Sequence, residues 1–543
     1  MMPWDDSELE AKDGNKRLRW NLLFNILLLT IIPAPIWLPF ASMELAVNIL
    51  PILQMLLMSC WLVVTFSAWV TYIKLLHAKN KVFQPRKSYE HLVVISSYKE
   101  PTSLLISTIE SIELQESCRT NVNLTLSFEE QGYKPTRFSI LILIFCIPVE
   151  ERTPELNTKI NDLTLRFSKK FKRLIFTKHP YGLAGEIPGK CSNANHGIRE
   201  SMARLHHAGV NTDELIVTTC DADTKFHPSF LNALAEQFVD CKDPHQSVFQ
   251  SPLLYNWKLD EATVVTRVTG IMRATLMMGA LIPFNINTMS VFSFSGKLCK
   301  AGNFIHPNYQ MDDIIALIRW MGVAGKRLNI VMVPVPTLSG PTSGRVVEEE
   351  ITEWARQARR WTIGAGEVFH YFMIKSKRIP FFTALSWGLT FIIYYGILLC
   401  CSHLYGVTLS ISYAFFLPKD AVIFGTNTPI SDLIIHVSLF LLYFNSLSMF
   451  ILDWLCPKLL VPQPEEYISI VRNICHFVIS PLVILGYSLI EFWSIFELAI
   501  RGKKVCNHKP SKKTELVMTN FAKLFIAPIM TPKISRKESL NPA

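Results

Sequence analysis

No Cys-x-x-Cys pair and no Cys/His spacing of a zinc site occurs in the 543 residues, although 12 cysteines are present. They are scattered, several within apolar runs, which argues against a disulfide framework and for reduced or buried thiols. Charge is scarce too: Asp, Glu, Lys and Arg make up 18% of the chain against 50% apolar residues. A chain this long and this apolar is neither a single compact domain nor an ordinary soluble one. Between about Ser88 and Ile374, where the composition is mixed, no internal repeat or low-complexity tract occurs. No small-residue cleavage site follows a short apolar core, so the first apolar run is expected to be an anchor and not a removed signal peptide. The net charge of +10 would suit nucleic acid. The basic residues, however, gather beside apolar runs and in the tail, as bilayer orientation and anionic lipid require, and no nucleic-acid partner is expected.

What is present begins with two apolar runs, Trp20 to Ala41 and Leu45 to Ile73, each near or above the roughly 20 residues that span a bilayer. Lys16, Arg17 and Arg19 precede the first, and Lys74, Lys79, Lys81, Arg86 and Lys87 follow the second. The turn between the runs has no Lys or Arg, so the amino terminus and the segment after residue 74 are expected in the cytosol. Further apolar runs occupy 381–401, 432–455 and part of 468–500. The expected division is a cytosolic N-terminus (1–19), two transmembrane helices (20–76), an α/β domain (88–350) and an amphipathic interface helix (351–375). A transmembrane bundle (381–500) and a basic tail (501–543) follow. Three spans in that bundle would leave the tail outside the cell, against its charge, so Gly406 to Gly425 is the candidate for a further crossing.

In the mixed-composition region, short apolar runs alternate with helical patterns: 91–97, 138–145, 173–177 and 214–220. Nearly continuous apolar strands separated by helices imply a mostly parallel sheet covered on both faces, whose ligands bind at the carboxyl ends of the strands. One strand ends on Asp221-Ala222-Asp223. Side chains two apart in an extended segment share a face, so the two carboxylates either cap the next helix or hold a hard divalent cation. Glu100 closes the first strand, Lys190 and Asn195 lie in or beside a Gly-containing loop, Asp312-Asp313 opens a helix, and "EWARQARRW" (Glu353 to Trp361) precedes the third span. Taken singly, each has a plain structural reading as a helix-start charge or a solvated stripe.

In this order and company the motifs resemble the processive members of the family 2 glycosyltransferases, the cellulose, hyaluronan, chitin and mannan synthases. The resemblance covers about residues 88 to 375 and extends to the flanking spans. It implies a GT-A (Rossmann-like) α/β catalytic domain inserted in a multi-span α-helical membrane protein. By the same resemblance, Asp223 would bind Mg²⁺ or Mn²⁺ on the diphosphate of a nucleotide sugar, with Asp221 beside it. Tyr98 and Glu100 would contact the nucleoside, and Lys190 the phosphates. Asp313 would be the general base, and Gln357, Arg360 and Trp361 the acceptor platform. The expected activity is inverting transfer from a nucleotide sugar, UDP-linked, to a growing β-linked polysaccharide, in the plasma membrane or Golgi with the catalytic domain cytosolic. The alternatives are transfer to a lipid acceptor and an inactive scaffold or transporter-like homologue. The chain departs from the family pattern at "CIPVEERT", where Asp-Asp-Gly-Ser would stand, leaving Glu150 or Glu151 as weak substitutes. It departs again at Met311-Asp312 in place of Thr-Glu, and at "VCNHKPSKK", a loose echo of the gating loop. His206-His207 reads as surface, and the Asn123 sequon as one that a cytosolic domain never glycosylates.

Overall fold

The computed structural model describes residues 19–97, 100–115, 121–129, 155–180, 183, 185–256, 262–340, 347–418, 430–460 and 468–505. Helices α1 (Arg19–Ile31) and α2 (Ala34–Ala41) form the first apolar run, bent by 64°. Pro33 and Pro35 sit at the break, where proline cannot supply the amide that would continue the first helix. α3 (Met43–Ala78) is a single helix of 36 residues. The expected second span is therefore present but extends past both of its sequence limits.

The α/β domain is built on a seven-stranded sheet in the order β3-β2-β1-β4-β8-β6-β9. Its members are β1 (His91–Ser97), β2 (Val122–Glu129), β3 (Arg173–His179), β4 (Ile216–Asp221), β6 (Ser247–Gln250), β8 (Phe292–Ser295) and β9 (Asn329–Met332). β1 to β4 pair in parallel, whereas β8 runs antiparallel to β4 and β6. A small sheet of β5 (Thr224–Phe226), β10 (Thr337–Ser339) and β7 (Leu253–Leu254) lies at the end of β4. The strands expected at 91–97, 173–177 and 214–220 are present within a residue or two. The run 138–145 lies outside the described residues, as do Tyr98, Glu150 and Glu151, and the strand beside β1 is Val122–Glu129.

That strand carries Asn123, Thr125 and Ser127 on one face, all fully buried. They are satisfied internally: Asn123 donates to Glu90 and to the His91 carbonyl, Thr125 meets Ser201 at 2.8 Å, and Ser127 donates to Asn193. The sequon asparagine is thus a core residue. Ser201 and Asn193 belong to α4 (Lys190–His207), which lies close against the sheet because Gly197 has no side chain. A Cβ there would stand 2.7 Å from the Ser127 side chain.

α5 (Val264–Leu281), not expected from the sequence, is apolar enough to cross a membrane, yet 83% of its apolar window is buried. It packs on α3 so closely that a Cβ at Gly279 would lie 2.1 Å from the Val64 carbonyl oxygen, and Thr71 donates to the Met278 carbonyl at 2.8 Å. α6 (Asp312–Ala324) follows. α7 (Val347–Lys375) contains "EWARQARRW" and starts earlier than the expected residue 351. α8 (Phe381–Phe415), α9 (Ile430–Leu455) and α10 (Ile470–Arg501) complete the described chain. α8 corrects one expectation: Gly406 to Phe415 continue the helix that begins at Phe381, so no separate span starts at 406. Among the described residues five helices, α5 included, are long and apolar enough to cross a membrane, or six with the bent α1–α2 pair.

Candidate functional site

The strand order runs outward from β1 in both directions, so the chain reverses its winding between β1 and β4, the place where open α/β sheets bind ligands. Ser96 of β1 is in register with Asp221 of β4 at this edge. A cavity of about 200 Å³ opens here. It has room for many waters or part of a ligand, well beyond a packing defect.

Asp221 and Asp223 stand on either side of the turn from β4 to β5. The helix-capping reading is excluded by distance along the chain: the next helix starts at Phe230, and its N-cap is Ser229. Asp223 is buried, and its carbonyl accepts from the Gly340 amide at 3.0 Å. A Cβ on Gly340 would come within 3.0 Å of Asp223 Oδ2. The absence of a side chain at 340 therefore gives this carboxylate its room.

Lys190, the first residue of α4, places Nζ 3.0 Å from Asp221 Oδ1 and 3.3 Å from Asp312 Oδ2. Burial alone would discharge the ammonium, but Asp221, Asp312 and Asp313 outweigh it and hold the lysine pKa above its ordinary value. Asp312 and Asp313 do occupy the first turn of α6, as the plain reading had it. They are buried there, however, at 4% and 6% exposure, not solvated. Burial and the neighbouring Asp312 push Asp313 up to about 7, against the pull of Lys190. Asp312 is raised as well, chiefly by burial.

The roof of the cleft comes from α7. Gln357, Arg360 and Trp361 have the i, i+3, i+4 spacing of one helix face, and all three line the cavity. Arg359, between them, points elsewhere and pairs with Glu497 of α10 at 2.6 Å. Burial lowers the Arg360 pKa while Asp221, Glu353 and Glu100 pull it back up, which puts Arg360 on the Asp221 side. α7 is held against α6 at Gly364, where a Cβ would meet Met311 at 2.4 Å. It is fixed to the start of α5 by Glu350, which accepts from the Thr263 amide and the Thr263 and Thr266 hydroxyls at 2.5 to 3.0 Å.

Glu100, Lys190, Asp221, Asp223, Asp312, Asp313, Gln357, Arg360 and Trp361 thus meet in one cleft. Asn195 does not; it lines a separate polar cavity behind α4. The sequence reading missed Arg273 of α5, whose guanidinium lies 3.6 Å over the Trp361 ring. A lone arginine in an apolar run carried no motif. Among the described residues no group of three or more His, Cys, Asp and Glu is arranged to hold a metal ion. The Asp221/Asp223 pair supplies carboxylate oxygens only. That suits a hard cation such as Mg²⁺ or Mn²⁺ whose other positions are filled by phosphate and water, and it does not suit zinc or copper, which favour imidazole and thiolate ligands.

No family model and no curated protein matches the chain. Among solved structures it is similar to the mannosyltransferase PcManGT from Pyrobaculum calidifontis in complex with GDP-Man and Mn²⁺. That match has 11% identity and a TM-score of 0.42 and covers 81% of this chain and 99% of that one. It is similar also to residues 1–349 of S. aureus TarS, at 8% identity and a TM-score of 0.29, covering 76% and 92%, and to the same segment with UDP at a TM-score of 0.30. These neighbours include glycosyltransferases solved with nucleotides. At such scores the likeness bears on neither donor, acceptor nor mechanism.

Proposed function

We propose that the protein is a membrane-embedded inverting glycosyltransferase that uses a nucleotide sugar, UDP-linked, and extends a β-linked glycan. The observation that supports it is the meeting of two acidic pairs, Asp221/Asp223 and Asp312/Asp313, around one lysine in a cleft roofed by Gln357, Arg360 and Trp361. Asp223 would hold Mg²⁺ or Mn²⁺ together with the donor diphosphate. When bound, the metal supplies neutralisation of the leaving nucleoside diphosphate. Lys190 and Arg360 add positive charge beside the same phosphates, Arg360 with a planar fork suited to them. Glu100 lies at the nucleoside end, on the β1 side of the cleft. Asp313 takes the proton from the acceptor hydroxyl as its oxygen attacks the anomeric carbon from the face opposite the leaving group, so the configuration inverts. A carboxylate with its pKa near 7 is a better base at cytosolic pH than one near 4, since proton affinity sets its driving force.

A second reading, transfer to a lipid acceptor, is favoured by the packing next to Trp361. Phe24, Thr362, Phe369, Phe391 and Tyr395 enclose a gap of only about 10 Å³, near the minimum for one water. That gap is too narrow for a sugar ring. The test is purified full-length protein with a panel of radiolabelled nucleotide sugars and Mn²⁺. High-mass product supports the polymer reading, lipid-soluble label supports the second, and no transfer from any donor overturns both.

A further inference from the structure

Two arginines of α5 behave differently. Arg267 is paired with Asp453 of α9 at 2.8 Å. Arg273, nearly two turns on, has no carboxylate within 4.0 Å among the described residues, and its Nε is buried with no hydrogen-bond partner there. It stacks on Trp361, lies within hydrogen-bonding reach of the Tyr255 hydroxyl and within electrostatic reach of those of Tyr394 and Tyr487, all neutral groups that supply no counter-charge. The carboxylates that sense it, Asp313 and Glu491, stand beyond ion-pair distance. A guanidinium enclosed by aromatic rings gains some cation–π attraction, yet an unpaired charge at such a site is costly unless an anion completes it. Arg273 lines the same cleft as Asp313 and Trp361.

The location separates the candidate anions. Lys190 and Arg360 already serve the Asp221 side, where the donor diphosphate would lie. Arg273 instead belongs with Trp361, Asp313 and tyrosines contributed by α8 and α10, at the acceptor end. We propose that the acceptor is an acidic sugar whose carboxylate or phosphate is bound by Arg273 while a hydroxyl on the same or the adjoining ring faces Asp313. This rests on the glycosyltransferase reading above and names the acceptor class for that site. In the transfer the acceptor hydroxyl oxygen bonds to the anomeric carbon as the bond to the nucleoside diphosphate breaks, and the hydroxyl proton passes to Asp313. The acidic group is unchanged and serves only to bind. Trp361, with one face covered by Arg273, presents its other face to the sugar ring.

The test uses the full chain in nanodiscs and three glycosides that differ at one carbon: decyl β-glucoside, decyl β-glucuronide and decyl β-glucoside 6-phosphate. Binding is measured by calorimetry with UDP and Mn²⁺ present, and transfer with a labelled nucleotide sugar. Wild type is expected to prefer one or both acidic glycosides by at least about tenfold, the tighter of the two naming the anion. Arg273→Gln should lose that preference, Arg273→Lys should keep part of it, and UDP affinity should stay the same in all three proteins. Equal binding of neutral and acidic glycosides by wild type overturns the proposal. So does a loss of UDP affinity in Arg273→Gln with the acidic preference kept, because Arg273 would then serve the donor. If Arg273→Gln does not fold, wild type and Arg273→Lys still decide by the same preference. Acidic preference in binding with no transfer from any donor would count against the transferase reading and leave the anion site standing.

Discussion

Lys190 Nζ stands 3.0 Å from Asp221 Oδ1 and 3.3 Å from Asp312 Oδ2, so a single ammonium joins the carboxylate at the end of β4 to the one beside Asp313. Its charge lowers the pKa of both Asp312 and Asp313. Asp313 has to be deprotonated to accept a proton, so the wild-type transfer rate should rise with pH through about 7 and then level off. Lys190→Gln removes the cation, leaves the aspartates harder to ionise and should move this limb to higher pH. It should also weaken UDP binding by about tenfold or more, about 1.4 kcal/mol. An unmoved limb in the pH–rate profile would mean that Asp313 is not the titrating base.

Asp313→Asn should abolish turnover and keep nucleotide binding, because the base acts on the acceptor. Calorimetry with UDP and Mn²⁺ should match wild type. Lost nucleotide binding would assign Asp313 to the metal or to the fold.

Asp223→Asn is expected to end metal-dependent transfer while the protein stays folded in the membrane. Gly340→Ala tests the same carboxylate without touching it: the new methyl, 3.0 Å from Asp223 Oδ2, forces a small shift. The Mn²⁺ concentration for half-maximal rate should rise severalfold. Near-normal dependence on Mn²⁺ in both variants would return Asp221-Ala222-Asp223 to a purely structural turn.

Gly279→Ala places a methyl 2.1 Å from the Val64 carbonyl oxygen, a backbone atom that cannot swing aside. Overpacking of this kind costs roughly 1–3 kcal/mol. A lower Tm with impaired transfer is expected, since α5 carries Arg273 into the cleft. An unchanged Tm would show that α5 and α3 separate easily.

The tail should be cytosolic, by a route other than a span at 406–425. At its start α10 donates from Arg472 to the Ala262 carbonyl, and His476 meets Arg267; at its end Glu497 pairs with Arg359. Both ends are thus tied to α5 and α7. Its exposed apolar stripe, including Ile474, Val478, Leu482, Leu489 and Trp493, would suit a helix lying along the membrane face. With α10 lying flat, the crossings would number four, from the bent α1–α2 pair, α3, α8 and α9, and both termini would share one side. A cysteine placed at Lys512 should resist an impermeant reagent applied to intact cells, and labelling from outside would restore α10 as a span.

How much of this could be read beforehand depended on whether one periodicity governed a segment. β1, β3 and β4 each begin on or near a short apolar run, 92–95, 174–176 and 215–217, and they lie where expected. β2 is buried on both faces, but one face is Asn123, matched to Glu90 and the His91 carbonyl, and Thr125 and Ser127, matched to polar groups on α4, so its pattern looks half exposed. The cleft residues carried by short motifs were legible because strand ends and helix faces fix direction locally: Asp221 and Asp223 by the β4–β5 turn, Gln357, Arg360 and Trp361 by the helical repeat. Arg273 was not legible, because its significance comes from a ring 88 positions later in the chain that only tertiary packing brings to 3.6 Å. The number of crossings was not legible for a related reason. Composition distinguishes apolar from polar, and α10 has enough of both to lie flat or to cross.

Gly364 of α7 touches Met311 beside Asp312, and Gly366, half a turn on, touches Leu498 of α10. In the membrane-embedded protein proposed here, the roof of the cleft is fastened on one side to a domain whose position water determines and on the other to a helix whose depth lipid would determine. A bilayer that thickens or thins displaces one attachment relative to the other, at a cost of fractions of a kcal/mol per Å of mismatch. Catalysis in this protein should accordingly sense acyl-chain length. Nanodiscs of short-, medium- and long-chain phosphatidylcholine would show an optimum in turnover with little change in nucleotide affinity, making the cleft a gauge of the membrane that holds it.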